Sequence, residues 1–122
     1  MPAVSPQAAV VGYSRAVRAG NLVFVAGTAP VMPDGAAPPA GAYGQARRCL
    51  EIVIDALAEV GADAGHVVRT RMFVTSPEVW EEVGRAHGEV FGDVRPATAM
   101  VVVAGLLDPR WLVEIEVDAV VP

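Results

Sequence analysis

The chain has 122 residues, enough for one domain, and 53% of them are apolar, a high share for so short a protein (mean hydropathy +0.43). Fourteen acids against nine bases leave a net charge of −5, and every base is arginine, which excludes lysine imine catalysis and a lysine phosphate clamp. The arginines are scattered and form no stripe, so nucleic acid is not an expected partner. No apolar run reaches the roughly 18 residues of a membrane span, so no membrane partner is expected either.

The opening stretch "MPAVSPQAAVVGYSR" has neither the basic start nor the clean apolar centre of a secretory leader, so a cytoplasmic location is expected. Two short strands follow, "GYSRAV" (12–17) and "LVFVAG" (22–27), joined through "RAGN", where Gly20 and Asn21 tolerate positive φ; this predicts a hairpin. The loop over 29–41 carries four of the ten prolines, Pro30, Pro33, Pro38 and Pro39. Over 42–60 the period becomes helical. Ala46, Leu50, Val53, Leu57 and Val60 recur at steps of three and four, Arg47, Glu51, Asp55 and Glu59 mark another face, and Gly61 ends the helix.

"HVVRTRMFVT" (66–75) reads as a strand with Arg69 and Arg71 on one face. A second helix, 76–91, opens with Ser76 as its cap, Pro77 in the first position and Glu78, Glu81 and Glu82 in the first turns. "ATAMVVV" (97–103) is apolar on both faces and predicts a strand buried on both sides. "LVEIEVDAVV" (112–121) alternates, with Glu114, Glu116 and Asp118 on one side.

The order ββαβαββ implies a single α+β domain over 1–122, with one mixed sheet and two helices on one face. Two helices cover only one face, so an apolar second face needs cover from another copy of the chain, and a closed oligomer is expected.

The remaining chemistry is sparse. Cys49 sits inside the first helical pattern and reads as a small core residue. His66 and His87 have no ligand-spaced partners and read as surface or capping residues, so no metal is expected. No glycine-rich nucleotide loop is present, and no cofactor is expected. Trp80 and Trp111 read as packing anchors.

The hairpin "YSRAVRAGNLVFVAGT", the helix "QARRCLEIVIDALAEVGA", the strand "VVRTRMFVT" and the ending "RPATAMVVVAGL…VEIEVDAVV" together resemble the RidA/YjgF family, also called endoribonuclease L-PSP. The resemblance spans nearly the whole chain. It implies a chorismate-mutase-like fold, a homotrimer with a central barrel, and small-molecule clefts between subunits. It also implies hydrolysis of reactive enamines and imines to carbonyl compounds and ammonia.

Residue by residue, the family's first-strand tyrosine matches Tyr13. Its water-positioning glutamate matches Glu114, with one extra residue in the preceding loop. Where such deaminases hold a carboxylate-binding arginine in Pro-Ala-Arg, this chain has Pro96-Ala97-Thr98; the family's Ser-Gly-Gln appears as Ala26-Gly27-Thr28, and an arginine after the "VVVA" strand as Gly105. Activity on 2-imino acids is therefore expected to be weak.

Two arginines are candidates to replace the missing one. Arg15 shares a face with Tyr13 about 7 Å further along a strand. Arg95 lies an odd step from Thr98, so it reaches the same side only from a turn ahead of Pro96. Either could instead form a rim salt bridge. Likewise, Glu114, Glu116 and Asp118 read as partners of Arg69 and Arg71 in an ion-pair network, or Glu114 as a catalytic carboxylate. A non-catalytic small-molecule or protein-binding trimer stands as the alternative function, with ribonuclease activity a third.

Overall fold

A computed structural model describes residues 7–122. After a one-turn helix α1 (Gln7–Val11) the chain forms β1 (Ala16–Ala19), β2 (Leu22–Thr28), α2 (Ala42–Glu59), β3 (Val67–Val74), α3 (Trp80–Phe91), β4 (Ala97–Val102) and β5 (Val113–Val120). The sheet order is β1-β2-β5-β3-β4, with β3 and β4 parallel and the other neighbours antiparallel. This is the expected mixed α+β sheet. Helix α1 was not anticipated, because five residues are too few to display a period.

Local chemistry explains the boundaries. Gly20 turns the hairpin at φ +63, while Asn21 needs no such conformation. Helix α2 stops where Gly61, at φ +82, donates to the Ala58 carbonyl at 3.1 Å and Ala62 donates to that of Leu57 at 2.8 Å, satisfying two end carbonyls. The second predicted helix begins as a single 3-10 turn, Pro77–Val79, with Ser76 accepting from the Glu78 amide at 3.2 Å, before α3 proper.

Both long helices lie on one face of the sheet. Ala46, Cys49, Leu50, Val53 and Leu57 of α2 and Val83, Ala86 and Phe91 of α3 join Val23, Val25, Met72, Val74, Val113, Ile115 and Val117 in the core. Burial pushes the Cys49 thiol well above its ordinary pKa, as a core thiol requires. His66 caps a 3-10 turn, its ring accepting from the Asp63 amide at 3.0 Å. His87 departs from the surface or capping role read for it: it is half-buried and hydrogen-bonds the buried Thr70 hydroxyl at 2.8 Å, and burial lowers its pKa. Trp80 is 59% exposed, so it anchors nothing within one protomer.

The other sheet face is open, and here the expectation for 97–103 is corrected. Strand β4 is the edge strand beside β3, and most of its residues are exposed, including Val101 and Val102. Periodicity registers apolar character without saying whether the cover comes from the same chain. Across the middle of this face, Arg71 pairs with Glu116 at 2.9 Å and with Asp118 at 3.8 Å, so two of the three acids share one cation, while Arg69 and Glu114, expected in the same network, form no ion pair among the described residues. No helix among the described residues is long and apolar enough to cross a membrane.

Candidate active site

A pocket of about 310 Å³ opens at the end of the sheet where the lead-in to β1, the end of β2 and the start of β5 meet. Tyr13, Arg15, Ala26, Gly27 and Glu114 line it, so five of the seven residues singled out from sequence come together. Val11, Ala29, Val31, Leu107 and Trp111 add an apolar wall, and Gln7 completes the lining.

Tyr13 and Arg15 precede β1 and do not lie in it, which corrects the shared-strand geometry. Released from strand alternation, they differ in burial: Tyr13 is 37% exposed at the rim, Arg15 only 4%. The Arg15 carbonyl accepts from the Ala26 amide at 3.0 Å, tying this lead-in to β2. Arg15 Nη1 donates to Thr28 Oγ1 at 3.2 Å, and that hydroxyl donates to the Ala26 carbonyl at 2.8 Å.

A register break in β2 makes room for the carboxylate. Val25 pairs with Val117 and Thr28 with Ile115, so two residues of β2, Ala26 and Gly27, face one of β5. Thr28 is thereby turned inward and fully buried. Gly27 is left beneath Glu114: a Cβ on Gly27 would sit 3.0 Å from Glu114 Oε2. Burial, and secondarily the neighbouring Glu116 charge, raises the Glu114 pKa, which makes it a stronger base than a surface carboxylate.

Gly27→Ala is accordingly expected to displace the Glu114 carboxylate while leaving the backbone in place, since the near atom is the end of a flexible side chain. Melting should change by less than about 1 kcal/mol, and any turnover by Glu114 should fall about tenfold or more through misplacement of its oxygen. Thermal melts and product assays on the same preparation test this pair of outcomes.

Thr98 and Arg95 lie elsewhere. Thr98 Oγ1 is 2.8 Å from Thr70 Oγ1 and 3.0 Å from the Pro96 carbonyl, so its hydroxyl extends the His87–Thr70 chain on the helix-facing side of β4. Arg95 is exposed in the turn before β4, at φ +57, and it does not line the pocket.

Trp111 is the residue that sequence reading misplaced. It is a pocket wall, held by the turn over 108–111, in which Arg110 Nε and Nη2 donate to the two Asp108 carboxylate oxygens at 3.0 and 2.7 Å and Trp111 N donates to the Asp108 carbonyl at 3.0 Å. Buried Gln45 pins the same loop to α2: its Nε2 donates to the Pro39 and Arg110 carbonyls at 2.8 and 2.9 Å, and its Oε1 accepts from the Leu112 amide at 2.7 Å. The Asp-Pro-Arg turn before an aromatic was the available signal.

The fold and pocket define a class: an open-faced α+β sheet protein with a pocket at one end of the sheet. The sequence model of the family Endoribonuclease L-PSP matches residues 3–121, and the chain belongs to this family, the RidA/YjgF family. Rv2704 of Mycobacterium tuberculosis, from the YjgF/YER057c/UK114 family, is 44% identical, with a TM-score of 0.89 over 98% of this chain and 96% of that one. The uncharacterized protein SCO2049 of Streptomyces coelicolor is 39% identical over 115 residues, 94% of this chain and 86% of its own. E. coli TdcF, solved with bound serine, is 27% identical, with a TM-score of 0.85 over 99% and 92% of the two chains.

Proposed function

We propose that the chain hydrolyses small reactive imines or enamines to a carbonyl compound and ammonia, at clefts between the subunits of a cytoplasmic homotrimer. The observation that carries this reading is the half-buried Glu114, raised in basicity and set opposite Tyr13 in one pocket. Glu114 takes a proton from water as the oxygen attacks the C=N carbon and passes that proton to the nitrogen, giving a carbinolamine. Glu114 then takes the carbinolamine hydroxyl proton and delivers it to the departing nitrogen; the C–N bond breaks, and ammonia leaves as the carbonyl forms. Tyr13, with its ring on the rim, orients the substrate and donates a hydrogen bond.

The serine bound to TdcF supports an amino-acid-sized ligand. The trimer reading draws on the exposed apolar edge of β4 and on family membership. Ribonuclease action fits poorly with a net charge of −5.

The alternative is a non-catalytic binder that uses the same pocket. Thr98 favours it, since its hydroxyl is engaged away from the pocket where related deaminases carry an arginine. Ammonia release from an imine generated in situ by an amino-acid oxidase separates the two. Acceleration over buffer is expected; a rate equal to buffer alone would leave the binder.

A further inference from the structure

Resting on the small-molecule reading of this pocket, we infer that Arg15 is its anion receptor, and that the ligand is a monocarboxylate with a compact apolar side chain, its charged end at Arg15 and its chain against Val31, Leu107 and Trp111.

Arg15 is 4% exposed, lines the pocket, and forms no ion pair among the described residues. Among the described residues its side chain has one hydrogen-bond partner, the neutral Thr28 hydroxyl, and its Nε is buried without an acceptor. A buried guanidinium stays charged, and leaving it without an anion is costly. Neighbouring groups do not relieve it: Cys49 is a neutral core thiol, and Arg48 adds positive charge while engaging the Val31 carbonyl and Glu51. A purely structural arginine would have its donors filled by protein acceptors; this one lines a cavity with its Nε unpartnered.

The chemistry of the ligand follows from what surrounds that guanidinium. One cation with the acidic Glu114 across the pocket suits a single negative charge and disfavours a phosphate dianion. The volume is at the small end for ligand sites, and the wall beyond Arg15 is aliphatic and aromatic. The receptor is thus moved from the β4 position, where Thr98 bonds away from the pocket, to the lead-in of β1.

The test is calorimetric binding to the assembled protein of 4-methylpentanoate, 4-methylpentanamide and inorganic phosphate. Wild type should prefer the carboxylate to the amide by tenfold or more and bind phosphate more weakly than the carboxylate. Arg15→Met, close in volume, should lose the preference while keeping the amide affinity, and Arg95→Ala should retain it. Equal binding of acid and amide by wild type overturns the inference without any variant, as does tighter phosphate binding, or a preference that survives in Arg15→Met. Ammonia assays run alongside separate the two readings. Carboxylate preference without turnover removes the hydrolase and keeps the receptor; turnover without preference does the reverse.

Discussion

Glu114→Gln is expected to lower imine hydrolysis by about 10²-fold or more and, in the same protein, to raise the melting temperature at neutral pH. The first effect follows from removing the only carboxylate that lines the pocket among the described residues, the proposed general base. The second follows from cost: the carboxylate is half-buried and next to Glu116, and both raise its pKa. A carboxyl whose folded pKa is raised contributes stability that is fully present below its ordinary value of 4.5 and is lost as pH rises through the folded value. The neutral amide escapes that loss. The variant should therefore match wild type near pH 4 and exceed it near pH 7, by roughly 0.5–1 kcal/mol, the scale of a relieved like-charge contact on a sheet. Paired melts at the two pH values, with ammonia assays at pH 7, read both. Activity within tenfold of wild type would remove Glu114 from the mechanism, and a variant less stable at pH 7 would mean that the carboxylate has a stabilising partner after all.

Local signals that physics makes redundant were legible. Helix α2 was predicted nearly to the residue because a long apolar period, an acidic outer face and a glycine stop all agree. Ser76 and Pro77 marked their helix entry for the same reason, and alternation in β5 located both its buried row and its acidic row. Strand β4 was recognisable as a strand but not as an edge, since an interface strand and a core strand share one apolar signature.

At the site, Glu114, Tyr13, Ala26 and Gly27 were found through family resemblance, and the pocket brings them together. Arg15 was a candidate by strand geometry that does not hold; it reaches the pocket because the lead-in to β1 is irregular. Its near-complete burial runs against the rule that charged side chains stay wet, so composition could not signal it. Trp111 and Gln45 depend on contacts between distant segments, the Gln45 bonds joining α2 to a loop 65 and 67 positions away. No local window contains that information.

Val101→Asp is expected to convert the proposed trimer into a folded monomer. Val101 lies on the open face of the β4 edge at 41% exposure, and Val17 and Phe24 are similarly exposed at 51% and 44%. In one protomer an aspartate at 101 meets water, so the core under the helices is untouched and the helical circular dichroism should persist. In a closed ring the same change places a carboxylate in three apolar contacts, each costing on the order of 2–3 kcal/mol if unpaired, which together exceeds 10³-fold in association. Light scattering at micromolar concentration should report three chains for wild type and one for the variant. Activity is expected to fall with assembly, because Leu107, a pocket wall 82% exposed in the single chain, needs a neighbour to cover it and hold the substrate in place. A folded monomer with undiminished turnover would place the whole working site within one protomer, and a variant that stayed trimeric would move the interface off β4.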